Sequence, residues 1–329
     1  MVLAPLKAQL KALLNFRRPN PAMAAGWTVV RLSPGGIDYA NVARPLQGHP
    51  TVNACGSVSL DADDPRALSK WARSLPLSRY PYCLLLNANE YQLLQIDTPP
   101  VPRNELRAAA RWRIKDLLDY PVDEATFDVL PPLSPNTSGK PGSVFVVAAR
   151  NTLIQKHMEL FRVAGVPLLA IDTPETALWQ ISNQIELGKQ TTAILTFTEE
   201  AGILLLALKG ELVSLRRFDL PVVAQKEADI PNLRGSLERV TLELQRSFDR
   251  FDREFSPMTV TRLLVLIPQW LAGLQEYLAI NLAIPVESIK LQGLLDLSAV
   301  PALSNRDNQS HYLTLLTAAL RQPPAARGS

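Results

Sequence analysis

Two turns in this chain hold residue types that could meet a phosphate, and each joins two strand-like runs. The first, Arg31-Leu-Ser-Pro-Gly-Gly36, carries adjacent glycines. Without a Cβ, such residues let backbone N–H groups approach phosphate oxygens. No aspartate precedes them to orient Mg²⁺ or its waters, and Pro34 removes one N–H. The second turn, Leu195-Thr-Phe-Thr-Glu-Glu-Ala-Gly202, sets Glu199 and Glu200 where a triphosphate would need donors. A later strand ends in Ile267-Pro-Gln-Trp270, which likewise offers no glycine turn. Turns without that aspartate and with few open N–H groups argue against ATP hydrolysis and against a nucleotide cofactor. Asp172 and Asp219 are the remaining carboxylates near predicted strand ends, and they read more simply as a helix cap and a solvated strand terminus.

Other chemistry is sparse. Three histidines (His49, His157, His311) lie far apart, and Cys55 and Cys83 have no paired-ligand spacing, so neither a zinc site nor a disulfide framework is expected. Ser33, Ser57 and Ser182 lack a nucleophile-elbow context. Gly35-Gly36 joins two strands and opens no helix, which excludes a dinucleotide fingerprint. One charged pattern stands out. Arg103, Arg107, Arg111 and Lys115 recur every four residues, which puts four cations on one slowly drifting helical stripe beside Trp112. It reads either as a solvated face answered by acids such as Glu105 or Asp116, or as a contact for anionic lipid head groups or an acidic partner. Net charge is only +3, so no global field recruits nucleic acid.

The elements that must position these residues come in two comparable sets. Gly26–Val42 reads as strand–turn–strand, and Thr192–Leu208 repeats that module and continues into a third strand up to Leu220. The first set predicts strands near 27–33, 37–43 and 52–60, a helix over 65–75 and a buried strand at 82–87. After the rigid Asp97-Thr-Pro-Pro-Val-Pro102 connector comes a helix over 104–119, stopped by Pro121, and then a strand over 125–130. An exposed loop over 131–142 leads to an α/β alternation: strand 144–149, helix 151–164, strand 167–171 and helix 174–186. In the second set, Leu233, Leu237, Val240, Leu244, Phe248, Phe251 and Phe255 mark the core face of a long helix over 231–255. Strand 260–267, helix 270–282, a short strand at 285–286 and a helix over 310–320 follow. The plan is α/β and two-lobed. It comprises an amphipathic helix and linker (1–25), a first lobe (26–188) with an inserted subdomain near 97–142, a second lobe (189–320) and a disordered tail (321–329).

No segment approaches the ~20 apolar residues that span a bilayer. The N-terminal residues 2–16 form an amphipathic pattern, with Lys7 and Lys11 beside the leucines and no cleavage site behind it. A cytoplasmic protein is expected, with that helix either folded on the body or docked on a membrane or partner.

Several segments carry a family resemblance through their shared order. They are Val144-Phe-Val-Val-Ala-Ala-Arg-Asn151 with Val163–Asp172, Pro102–Asp128 with Trp112 and Tyr120-Pro121, Leu242–Phe251, and Tyr277–Val286. Together, over about residues 26–297, they resemble the type IV pilus assembly protein PilM family, of actin-like ATPase (duplicated ribonuclease-H-like) fold. The Pro-rich 131–142 segment and the loss of nucleotide motifs are most like the family's MSHA-pilus members, MshI. The resemblance implies a non-catalytic scaffold of the pilus inner-membrane platform, peripheral to that membrane. Its partner would be the cytoplasmic N-terminal peptide of a bitopic membrane protein (PilN-like or MshJ-like), linking to the assembly ATPase complex. Arg103, Arg107, Arg111, Trp112 and Lys115 are the candidate contacts. The alternative is a nucleotide-binding actin-like ATPase of pilus or type II secretion assembly.

Overall fold

The computed structural model describes residues 25–45, 48–75, 79–130, 143–182, 184, 191–198, 201–208, 211–219, 230–256 and 258–322, with only the backbone of 230–233. The helix expected over 2–16, the loop expected over 131–142, Glu199-Glu200 and most of the expected tail lie outside the described residues.

The chain opens with an antiparallel meander, β1 (Gly26–Ser33), β2 (Gly36–Ala43) and β3 (Thr51–Ser59). Helix α1 (Pro65–Ser74) follows, started by Asp64, whose carboxylate accepts from the Arg66 N–H, with proline in the first turn. Strand β4 (Tyr82–Leu85) pairs parallel to β1. The chain then leaves this sheet for β5 (Gln92–Asp97), α2 (Leu106–Ile114), β6 (Ala125–Val129) and β7 (Ser143–Arg150). It returns through α3 (Asn151–Ala164) to β8 (Leu168–Asp172), parallel to β4, and enters α4 (Pro174–Ser182). The second half runs β9 (Thr191–Phe197), β10 (Ala201–Leu208), β11 (Glu211–Asp219), α5 (Ile230–Phe255), β12 (Val260–Leu266), α6 (Leu274–Asn281), β13 (Val286–Ser288) and α7 (Arg306–Ala318).

Strand order makes the duplication explicit. One five-stranded sheet runs β3-β2-β1-β4-β8 and the other β11-β10-β9-β12-β13, each a meander followed by two parallel strands. The central core lies between the two sheets and contains α4 and α7. Helices α5 and α6 cover the outer face of the second sheet. There Val240, Leu244, Phe251 and Phe255 are buried as their spacing predicts, and the Phe251 and Phe255 rings stack at 4.9 Å.

The third sheet, β5-β7-β6, carries α2 on one face over a small core of Ile96, Leu106, Ile114, Phe127 and Val146. It spans 92–150, wider than 97–142, because β5 and β7 pair along their full length and form its base. Sequence alone gives no strand at β5, and residues 144–149 read as a lobe strand rather than as this one. Helix α2 is also shorter than 104–119. Past Ile114 the N–H groups of Leu117 and Leu118 both reach the Ile114 carbonyl, a tightened last turn that ends the helix. The helix expected over 270–282 is broken by Gly273, at φ +86°, into a 3₁₀ turn at Gln269–Leu271 and α6.

Candidate functional site

Helices α2 and α3 stand on either side of β6, and between them lies a groove of 480 Å³. Its walls are Asn104, Arg107, Ala108 and Arg111 from α2 and its approach, Ala125, Thr126 and Phe127 from β6, and Ile154, Gln155 and Met158 from α3. The i,i+4 spacing puts Arg107 and Arg111 on one face of α2. The Arg107 guanidinium lies 5.6 Å from the centre of the Phe127 ring, a cation–π contact, and Arg111 pairs with Asp123. Asn151, at the start of α3, fixes the far wall. Its Oδ1 accepts from Thr126 Oγ1 at 2.6 Å, and its Nδ2 donates to the Asp123 carbonyl at 3.1 Å. Arg150 sits 4.2 Å above the Tyr120 ring and 3.9 Å from both Asp119 and Glu124. The result is an apolar floor with guanidinium groups along one rim, a form suited to an extended segment with apolar side chains and an acidic or carbonyl-rich backbone.

The structure divides the basic stripe. Arg107 and Arg111 line the groove, whereas Arg103 precedes α2 and Lys115 follows it, both exposed. Trp112 points away from the groove and is 75% exposed. The acid that answers Arg111 is Asp123, twelve residues on, and not Glu105 or Asp116. Phe127, Asp123, Asn151 and Met158 had no signal as site residues in the sequence, because their grouping depends on the pairing of β6 with β7.

The elements that would face a nucleotide lie at the carboxyl ends of the strands. Ser33 pairs with Gly36, so the first turn is a closed two-residue link of Pro34 and Gly35, with Ser33 Oγ donating to the Gly36 carbonyl at 3.1 Å. Gly36 serves the sheet: a Cβ there would stand 2.1 Å from the Val58 carbonyl, whereas at Gly35 it would meet nothing. At the second turn, the Thr198 N–H donates to the Ala201 carbonyl at 2.9 Å and the Ala201 N–H to Thr198 Oγ1 at 3.1 Å. At the third, Trp270 packs edge-on to Phe197 at 6.3 Å, and the Gln269 N–H is taken by Asp307. Asp172 is engaged on both oxygens, by the Thr173 N–H and Thr176 Oγ1 on one and by Arg321 at 2.8 Å on the other. Thr173 and Thr176 also exchange bonds in the manner of a capping box at the start of α4. Asp219 is an exposed strand end. Among the described residues, the polar groups named at these three strand ends are engaged within the protein itself. Among the described residues no group of three His, Cys, Asp or Glu side chains could hold a metal, and no helix is long and apolar enough to cross a membrane.

The doubled sheet order defines the class: this is an actin-like ATPase fold. The chain is similar over 92% of its length to all of a chain in the solved PilM–PilN type IV pilus biogenesis complex, with 21% identity and a TM-score of 0.69. A Bacteroides thetaiotaomicron protein of actin-like ATPase fold and unknown function matches 91% of this chain and 97% of its own, at 10% identity and a TM-score of 0.51. No protein-family model and no curated protein sequence matches the chain.

Proposed function

We propose that this chain is a non-catalytic scaffold of a type IV pilus inner-membrane assembly platform, of the MSHA type, and that it docks the cytoplasmic N-terminal peptide of a bitopic, PilN-like or MshJ-like membrane protein. The groove between α2, β6 and α3 carries this reading. It is preformed, apolar at its floor and edged by Arg107 and Arg111. A short segment that orders on binding needs such a surface, since its entropy cost otherwise cancels the contacts. Likeness to a chain solved in a complex named for PilM and PilN supports the same assignment. The protein would then sit in the cytoplasm, peripheral to the inner membrane through that partner, and pass contacts to the assembly ATPase complex. The three turns, closed or engaged as they are, favour a scaffold working without nucleotide.

The test is titration of the intact chain with a labelled N-terminal peptide of the candidate partner against a scrambled control. Preferential, saturable binding, weakened by Phe127→Ala, is expected; equal binding of both peptides sinks the docking reading. A thermal-shift titration with Mg-ATP addresses catalysis separately. A ligand at 100 times its Kd adds about 2.7 kcal/mol of stability, and no such shift is expected.

A further inference from the structure

We propose that the open edge of β3 is a self-association surface, on which a second copy of this chain lays its own β3 antiparallel, about a two-fold axis at Ser57. The inference does not rest on the docking reading.

β3 is the outer strand of the first sheet. Its first residues are covered, because the Val52 N–H donates to the Asp296 carbonyl at 2.9 Å and the Asp296 N–H to the Pro50 carbonyl at 2.8 Å. Beyond them the backbone direction follows from the ladder, in which bonded pairs alternate. The Arg44 N–H reaches the Ala25 carbonyl at 3.0 Å, so β2 turns its even-numbered residues to β1 and Ile37, Tyr39 and Asn41 to β3. Their opposites Val58, Gly56 and Ala54 face back. Cys55, Ser57 and Ser59 therefore direct N–H and C=O out of the sheet edge, and among the described residues no backbone group bonds them there. The side chains of Ser57 and Ser59 are exposed. Other sheet edges are blunted: β13 has three residues, and β11 carries Glu211, Arg216, Arg217 and Asp219. β3 runs for nine residues with no charge and no proline.

The pattern selects a copy of the chain itself. The three outward residues are spaced by two and are symmetric about Ser57, so the strand is its own complement. Laid antiparallel on itself, it sets Ser57 opposite Ser57 of the copy and Cys55 opposite Ser59, and every outward N–H meets a C=O. Charge permits the same contact. The strand has none to repel its copy, and Asp38, the carboxylate in the Ser57 row, is already held by Arg31 at 2.6 Å and by Ser57 Oγ at 2.5 Å. Tyr312 of α7 lies 3.0 Å from Ser57 Oγ and steadies that side chain beside the axis. A strand edge alone falls short of the roughly 1,200 Å² of a stable complex, so the dimer is a weak one, with Kd in the micromolar range.

The experiment is sedimentation velocity of the intact chain over a concentration series through the micromolar range, with a monomer–dimer equilibrium as the expected result. Ser57→Pro removes an N–H that the pairing with β2 does not use, a place where an edge strand tolerates proline. It also removes the central pair of the dimer, so Kd should rise roughly tenfold or more. A cross-link tests the register. Bonded antiparallel partners stand about 5.5 Å apart at Cα, within the roughly 4.4–6.8 Å that a disulfide spans. Ser57→Cys in a Cys55→Ser chain should therefore form a covalent dimer under mild oxidation, and Asn53→Cys in the same chain should not; Cys83 is buried and does not compete. A monomer at every concentration overturns the proposal, as does a dimer unaffected by Ser57→Pro in a folded chain, or equal cross-linking at positions 53 and 57. The cross-link does not use the proline variant, so it decides the matter even where that variant does not fold.

Discussion

The two five-stranded sheets share one strand order and differ in what covers them. In the second sheet β9 and β10 are buried at every position, because α4 and α7 lie on one face and α5 and α6 on the other. In the first, β3 is fully buried only at Val52, and polar rows cross the sheet. Arg31, Asp38 and Ser57 stand abreast on β1, β2 and β3, and Asn41 bonds Thr28 and Asn53. The first lobe also carries the inserted sheet and its groove. The same topology thus serves as an apolar anchor in one half and as a polar, accessible platform in the other. On the proposed docking reading, recognition falls to the first lobe, where side chains can change without dismantling a core.

Truncations on the inner strand β10 and the edge strand β3 give the largest contrast. Leu205→Ala removes a side chain that is wholly enclosed in the core between the sheets and should cost about 2–5 kcal/mol. Val58→Ala, at a partly buried site on β3, should cost less than about 1 kcal/mol. Urea unfolding followed by circular dichroism measures both. Similar losses would mean that the first sheet is as tightly enclosed as the second.

The polar rows supply the next effect. Burial alone would raise the Asp38 carboxyl, but hydrogen bonds from His311, Ser57 and Arg31 outweigh it and hold the group well below the usual carboxylate range. A carboxylate depressed in the folded state adds stability that is fully present above its unfolded pKa, near 3.9, and that is lost as pH falls through the folded value. Hydrogen bonds to a charged group are worth about 1.5–3 kcal/mol, so Asp38→Asn should cost roughly that at pH 7. The gap between variant and parent should narrow steadily below pH 4. A gap independent of pH would show that the Asp38 charge has no part in holding α7 to the first sheet.

Much of this organisation was legible in the sequence where it rests on local pattern. The doubled meander, the core stripe of α5 from Leu237 to Phe255 and the α3–β8–α4 alternation follow from periodicity and turn chemistry. What stayed hidden depends on contacts between distant residues. Tyr91 meets Glu175 across 84 positions, and Arg321 meets Asp172 across 149. β5 has no sequence signal because Gln92-Leu-Leu-Gln-Ile-Asp97 lacks clean alternation, and it becomes a strand by pairing with β7. The basic stripe was visible as a spacing, yet α2 ends at Ile114, so Lys115 falls past its last residue and only Arg107 and Arg111 face the groove.

That division yields the smallest effect on stability and the finest test of the platform. Trp112 is 75% exposed and outside the 480 Å³ groove, so Trp112→Ala should change stability by no more than about 0.5 kcal/mol. Its effect on peptide affinity separates two ways in which the inserted subdomain could be used. If the partner lies only in the groove, Arg107→Gln with Arg111→Gln weakens the labelled peptide, whereas Trp112→Ala and the pair Arg103→Gln with Lys115→Gln leave its affinity unchanged. If Trp112 is a second anchor, truncating a large exposed ring that becomes buried should cost about 1 kcal/mol or more, or roughly fivefold in Kd. The groove reading predicts the first pattern, because the i,i+4 pair and the tryptophan occupy different faces of α2. A loss with Trp112→Ala equal to that of the arginine pair would move the docking surface off the groove and onto the outer face of the helix.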